Sequence, residues 1–339
     1  MAAMAQERLP DNGLPAEFGF IARIFRPLAG EGALDLRDDA AVFTPPAGRQ
    51  IVVAADAMVE GVHFLPDDPA ETVGRKLLRC NLSDLAAMDA TPLGYLLTVS
   101  MPPARGEAWF ADFAAGLARD QRQFGITLLG GDTTSTSGPL VLSLTVLGHV
   151  APGMALRRSG ARAGDGLWVT GTIGDGAMGL LARQGRVADP DGFLAGRYQL
   201  PRPRLGLALG GIASAGMDVS DGLVQDLGHM ARESGVGAVL HAAQVPLSPA
   251  VRALGPDWLA RCISGGDDYE LLLAVPPARE AELQRHAALR DVAVTRIGQV
   301  VAGSGVQVVD ENGRDMPLKR RGWSHLPEGG QAQDSSDLS

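Results

Sequence analysis

Short apolar runs, too brief for helices, alternate along this chain with longer segments of helical apolar spacing, and the junctions are glycine turns. Strand-like runs occur at 50–55, 95–100, 126–129, 140–150, 166–170, 237–241 and 271–275, with further strands near 292–309. Helical spacing covers 17–29, 69–88, 106–124, 177–184, 205–215, 223–233 and 277–289. Such alternation specifies α/β or α+β units. A brief strand is also expected at Ala41–Phe43. Proline, glycines and three arginines at 151–165 mark a domain boundary. The expectation is therefore two domains, 17–150 and 151–326, with a flexible arm at 1–16 and a flexible tail at 327–339. The length of 339 residues suits two domains.

Composition narrows the function. Gly is 44 of 339 residues, well above the usual share of about 7%. Many of these glycines adjoin Asp, the residue pairing of tight turns that hold anions or cations. A net charge of −9 argues against a nucleic-acid coat or an anionic membrane surface. It does not argue against phosphorylated substrates, because a divalent cation reverses the local field. Two cysteines cannot form a disulfide framework, and Cys80 and Cys262 read as small buried apolar residues. No run of about 18 apolar residues is present, and the first residues do not resemble a secretory signal. The expected setting is the cytoplasm, with no membrane and no nucleic-acid partner.

Six carboxylate segments carry the chemistry: Arg37-Asp38-Asp39, Asp56, Asn81-Leu-Ser-Asp84, Gly130-Gly131-Asp132, Asp218-Val-Ser220-Asp221-Gly222 and Ser264-Gly-Gly-Asp267-Asp268-Tyr-Glu270. Asp56 and Asp132 are expected just after buried strands, where α/β units hold ligands. Carboxylates from separate loops are hard oxygen donors suited to Mg²⁺, which reaches its substrate through phosphates. The competing reading is that Asp-Gly only marks turns and helix caps, and Ser220 or Asp221 ahead of the helix at 223 fits that too. No P-loop is present. Gly171-Thr-Ile-Gly174-Asp-Gly176 has the wrong glycine spacing for a dinucleotide fingerprint. Arg157 and Arg158 are either solvated loop residues or a clamp on a phosphoryl oxygen. His63 is either a turn histidine or a donor to substrate. No nucleophile elbow with its triad is found.

These motifs, with Asp56-Ala-Met-Val-Glu-Gly-Val-His63-Phe64, Asn81-Leu-Ser-Asp84-Leu-Ala-Ala-Met88, Gly130-Gly131-Asp132-Thr-Thr134 and Arg158-Ser-Gly-Ala-Arg-Ala-Gly-Asp165, resemble the thiamine-monophosphate kinase family in order over about 17–326. Single motifs are shared with aminoimidazole ribonucleotide synthetase and selenophosphate synthetase. The resemblance implies a two-domain synthetase-like fold, in which the N-terminal sheet forms the core of a homodimer and the C-terminal domain is α/β. It implies ATP-dependent phosphorylation of thiamine monophosphate to thiamine diphosphate by direct in-line transfer, assisted by several Mg²⁺ ions. Such transfer needs charge neutralisation and alignment rather than an enzyme nucleophile.

By the same resemblance Asp39, Asp56, Asp84, Asp132 and Asp218 are metal-binding acids, and Asp221 holds a further metal. Gly131, Asp132, Arg158 and Ser220 lie on the nucleotide, and His63, Glu270 and Trp323 on the thiamine side. Without the resemblance Trp323 reads as a packing residue; with it, an indole face suits a cationic heteroaromatic ring. The sequence departs from the family at Arg37, where Gly is usual, and at Asp89, where a small glycine is common. It departs again at Ala54-Ala55, where Ser-Thr is usual: a metal contact through the Ala55 carbonyl survives, whereas one through a hydroxyl at 54 is replaced by water. The alternatives are a sister ATP-dependent synthetase with another small phosphorylated substrate, or an inactive binder of nucleotide or thiamine phosphate.

Overall fold

The computed structural model describes residues 16–323. The expected arm falls outside the described residues except for Ala16, which begins the first helix, and the expected tail at 327–339 falls outside them entirely. The chain forms two compact units. Unit 1 holds residues up to Ala47, Val53–Asn81 and Pro92–Gly148; unit 2 holds Gly48–Val52, Leu82–Thr91 and the chain from His149 on.

Unit 1 is built from α1 (Ala16–Ile24), β1 (Gln50–Val59), α2 (Ala70–Ala87), β2 (Thr91–Met101), α3 (Glu107–Phe124), β3 (Thr127–Ser135) and β4 (Val141–Val150). Its four strands run in the order β1-β4-β2-β3, with β2 and β3 parallel. Strand β4 shows the alternation of a half-buried strand: Leu142, Leu144 and Val146 are buried and their neighbours partly exposed. Helix α3 buries Phe110, Phe113 and Leu117 along one stripe. Helices α2 and α3 meet backbone to backbone, because a Cβ on Gly74 would strike the Phe113 carbonyl and one on Gly116 the Glu71 carbonyl. Helix α2 is buried nearly all round, so its cations are paired internally: Arg75 and Arg79 both bind Asp120.

Three strand expectations in unit 1 are corrected. Residues 41–43 form no strand; Val42 is 70% exposed and its N–H is held by the Gly32 carbonyl. The strand expected to end before Asp56 continues to Val59, and it is an exposed edge strand, with Val53 59% exposed, not a buried one. The strand expected to run into Gly130-Gly131-Asp132 extends through them to Ser135, paired residue by residue with β2. Apolar periodicity located these strands but did not show that ladder hydrogen bonds carry them past the polar residues.

Unit 2 contains β5 (Gly166–Thr170), α4 (Asp175–Arg183), α5 (Phe193–Gln199), β6 (Ala215–Asp218), α6 (Leu223–Ser234), β7 (Gly237–His241), α7 (Pro249–Ala253), α8 (Leu259–Ser264), β8 (Leu271–Val275), α9 (Glu280–Ala288), β9 (Val294–Val301) and β10 (Gly305–Val309). The six strands run β10-β7-β9-β5-β8-β6; β10 and β7 are parallel and the other pairs antiparallel. Strands β5 and β8 are buried on both faces. Leu272 and Ala274 join one core cluster with Leu223, Val224 and Leu227 of α6, whereas Leu271, Leu273 and Val275 join another with Leu283 of α9.

The helix expected at 205–215 does not form. Gly206, Ala208 and Gly211 take positive φ there, and Ala215 opens β6 instead. Helices α5, α7 and α8 lie where the sequence showed only Gly/Pro-containing loop, α7 being capped by the Ser248 hydroxyl with Pro249 following.

Candidate functional site

In unit 1 the carboxylates stand on strands. Asp132 lies inside β3 opposite Thr98 and is exposed, with Gly131 beside it opposite Leu97. A Cβ at 131 would overlap the Leu97 carbonyl oxygen, so only glycine keeps β2 and β3 in register here. Asp56 lies inside β1 with an exposed side chain. Its N–H donates to Asn81 Oδ1 at 3.1 Å, and its carbonyl accepts from Ser143 Oγ at 3.4 Å. Asn81 is itself buried and donates to the Leu77 carbonyl within α2. Ala54 is half-buried and Ala55 exposed on the same strand. Asp39 is exposed in the irregular segment before β1.

His63 occupies the turn after β1. Its Nδ1 accepts the Val59 N–H at 3.0 Å, so the neutral ring carries its proton on Nε2. The buried Lys76 ammonium donates to the His63 carbonyl at 2.9 Å. The imidazole is oriented by local bonds and remains half-buried.

In unit 2 a second cluster gathers around the turn after β6. Asp218 ends β6 and is buried, its Oδ2 receiving the Ser83 hydroxyl at 2.8 Å. Asp84, the next residue of α2, is half-buried. Ser220 and Asp221 follow in the turn. The Trp323 N–H donates to the Asp221 carbonyl at 2.9 Å, and Gln225 Nε2 reaches both Asp221 Oδ2 and the Trp323 carbonyl. Asp218, Ser220, Asp221 and Trp323 are thereby brought together. Arg158 is exposed, and its carbonyl accepts from Ser234 Oγ.

Glu270 turns inward. Its side chain is 0% exposed, and its two oxygens accept from Arg204 Nε and Nη2, Arg197 Nη2 and Thr170 Oγ1 at 2.5–3.0 Å. A carboxylate bonded in this way holds its arginines in place. In the same segment Asp268 is buried on the N–H groups of Gly174 and Gly176, whereas Asp267 is partly exposed.

Three residues outside the expected set shape the site: Asn81, Ser83 and above all Asp226. Asp226 Oδ2 accepts the N–H groups of Ser220, Asp221 and Gly222, each at 3.1 Å. Burial, and then the charges of Asp218 and Asp221, push its carboxyl well above the ordinary range, against the pull of the N–H groups of Gly222 and Asp221. The signal was an acid in the first turn of a helix that follows a Ser-Asp-Gly turn. The donor atoms of Asp221, Asp226 and His229 lie within 4.8 Å of one another. His229 is turned to Arg232, with burial and that guanidinium pulling its pKa down. The carboxylates of Asp218 and Asp221, with the Ser220 hydroxyl between them in sequence, are hard oxygen donors of the kind that fits Mg²⁺.

The family model described as AIR synthase related protein, N-terminal domain, matches residues 37–150, and its C-terminal counterpart matches 162–311. The chain is 47% identical over 330 residues to thiamine-monophosphate kinase of Caulobacter vibrioides, covering 93% of this chain and 92% of that one. The crystal structure of thiamine-monophosphate kinase from Stenotrophomonas maltophilia K279a superposes with a TM-score of 0.78 at 42% identity, covering 89% of this chain and 98% of that one. A structure described as AaThiL complexed with AMPPCP and TMP superposes with a TM-score of 0.73 at 29% identity, covering 91% and 97%. The chain is an enzyme that belongs to the thiamine-monophosphate kinase family of the AIR synthase related proteins.

Proposed function

We propose that the enzyme transfers the γ-phosphoryl group of ATP to the phosphate of thiamine monophosphate, giving ADP and thiamine diphosphate. The observation that carries this reading is the Asp221–Trp323 junction. The backbone of Trp323, whose indole suits a cationic heteroaromatic ring, is bonded to the turn that carries carboxylates suited to metal-bound phosphates. Relatives over more than nine-tenths of the chain bear the name of this activity. A structural relative is described with an ATP analogue and TMP together.

Transfer is direct and in line. The attacking phosphate oxygen is already anionic, so no residue is needed as a nucleophile or general base. Asp39, Asp56, Asp84, Asp132, Asp218 and Asp221 would hold several Mg²⁺ ions; a backbone contact would use the Ala55 carbonyl, and water would replace a hydroxyl ligand at Ala54. When bound, Mg²⁺ would neutralise phosphate charge beside these carboxylates. Gly131 permits close approach of the nucleotide phosphates, Ser220 donates its hydroxyl to them, and Arg158 clamps a phosphoryl oxygen. His63 lies on the thiamine side. Trp323 stacks on the thiamine. Glu270 serves the thiamine side and holds Arg204 and Arg197 in place.

The acting form is proposed as a cytoplasmic homodimer. Ile51 and Val53 on edge strand β1 and Leu96 on β2 are exposed apolar residues that support pairing of the N-terminal sheets. Among the described residues no helix is long and apolar enough to cross a membrane. The metal reading is tested by Asp132→Asn, assayed with saturating ATP and thiamine monophosphate. Turnover is expected to vanish with an unchanged thermal midpoint. A wild-type rate would remove Asp132 from the metal set.

A further inference from the structure

The turn that presents Ser220 and Asp221 does not hold itself. Its three successive N–H groups, from Ser220, Asp221 and Gly222, converge on the single Oδ2 of Asp226. Such convergence is a backbone anion nest, here filled by the protein's own carboxylate. Asp226 is 1% exposed and sits in the first turn of α6, whose Leu223, Val224 and Leu227 are buried in the main core of unit 2. The carboxylate is therefore anchored to a helix packed into the core of the unit.

The outer side of the turn is also fixed. The Ser220 carbonyl accepts the Asp267 N–H at 2.9 Å, and a Cβ on Gly266 would overlap that same carbonyl oxygen. Gly222 takes φ +129, and a Cβ there would meet the Ser264 carbonyl at 2.9 Å. Backbone and side-chain directions in the turn are thus set from two sides.

Asp226 holds the turn by geometry, since one buried side-chain oxygen receives three successive N–H groups. We propose that Asp226 is the positioning residue of this site. Its buried carboxylate preorganises the Ser220–Gly222 turn so that the Ser220 hydroxyl and the Asp221 carboxylate are presented together to metal-bound phosphates. This rests on the proposed role of Ser220 and Asp221 as ligands, and the test separates the two.

The test compares Asp226→Asn, Asp226→Ala and Asp221→Ala with wild type. Asp226→Asn is isosteric and keeps one acceptor oxygen, so the test stands if the alanine variant does not fold. The first readout is amide hydrogen exchange in metal-free, nucleotide-free protein. Exchange at 220–222 is expected to accelerate about tenfold in Asp226→Asn and further in Asp226→Ala, while the β8 amides at 271–275 keep their protection. The second readout is the Mg²⁺ concentration for half-maximal binding of β,γ-methylene ATP, expected to rise about tenfold in both Asp226 variants and in Asp221→Ala. Unchanged exchange at 220–222 in Asp226→Asn overturns the proposal. So does a loosened turn with unchanged Mg²⁺ dependence while Asp221→Ala raises it. If Asp221→Ala also leaves the Mg²⁺ dependence unchanged, the ligand role of the turn fails, and the proposal fails with it.

Discussion

The Ser83 hydroxyl donates to Asp218 Oδ2 at 2.8 Å, and both side chains are buried. One face of α2 therefore sets the direction of a carboxylate 135 residues further along the chain. Asp218 ends β6, and its backbone is already fixed by pairing with Leu271 of β8. The serine hydroxyl helps to set the side-chain torsion. Ser83→Ala removes one donor to a buried carboxylate oxygen, at a cost of about 1–3 kcal/mol. The expected result is a lower thermal midpoint together with about a tenfold weaker Mg²⁺ dependence of nucleotide binding. Denaturant titration and a Mg²⁺ series check the two effects. A shift in stability with an unaltered Mg²⁺ series would show that Ser83 serves packing alone.

Asn81 acts on β1 in a similar way, by accepting the Asp56 N–H. Asn81→Leu removes the acceptor while keeping the volume. It should loosen an edge strand whose outer side has no strand partner within the sheet. Hydrogen exchange at Asp56 is the measurement, and it is expected to quicken relative to Leu144 in β4. Equal protection in the variant and wild type would contradict the clamp.

The Glu270 carboxylate binds Arg197, Arg204 and Thr170 with no exposure. Breaking a buried pair by removing one partner costs about 3–5 kcal/mol. Glu270→Gln should therefore appear as a stability defect together with a raised KM for thiamine monophosphate. An unchanged KM in the folded variant would remove Glu270 from the thiamine side.

Cys262 is wholly buried, and its thiol is pushed up to about 12, first by burial and then by Asp268 and Asp175. At pH 8 about one part in ten thousand is thiolate. Iodoacetamide should label it only after unfolding, and mass spectrometry reads the result. The folded value lies above the unfolded one of 9.0, so the group's contribution is full below pH 9 and is lost as pH rises towards 12. Labelling of Cys262 in native protein at pH 8 would contradict this burial.

Much of the architecture was legible because apolar spacing encodes it. Helices α2, α3 and α6 and strands β5, β7 and β8 lie close to where their periods place them. The residues at 205–215 failed because small residues satisfy a helical period without enforcing it, and Gly206 and Gly211 take positive φ there. Asp56 and Asp132 were legible as site candidates but not as strand residues, since ladder pairing overrides local polarity. The motifs at 81–84 and 218–222 pointed to the cluster in unit 2. The sequence could not show that Asn81 and Ser83 serve as fasteners. Nor could it show that Glu270 turns inward onto two arginines, because these roles depend on partners 25 to 135 residues away.

The central claim is phosphoryl transfer between two phosphorylated small molecules. The most direct measurement follows the γ-phosphoryl label of ATP in purified enzyme with Mg²⁺ and thiamine monophosphate. The predicted result is label in thiamine diphosphate, with equimolar ADP, none retained on protein, and no turnover when Mg²⁺ is chelated. Folded enzyme that binds Mg²⁺–ATP but leaves thiamine monophosphate unlabelled would contradict the account.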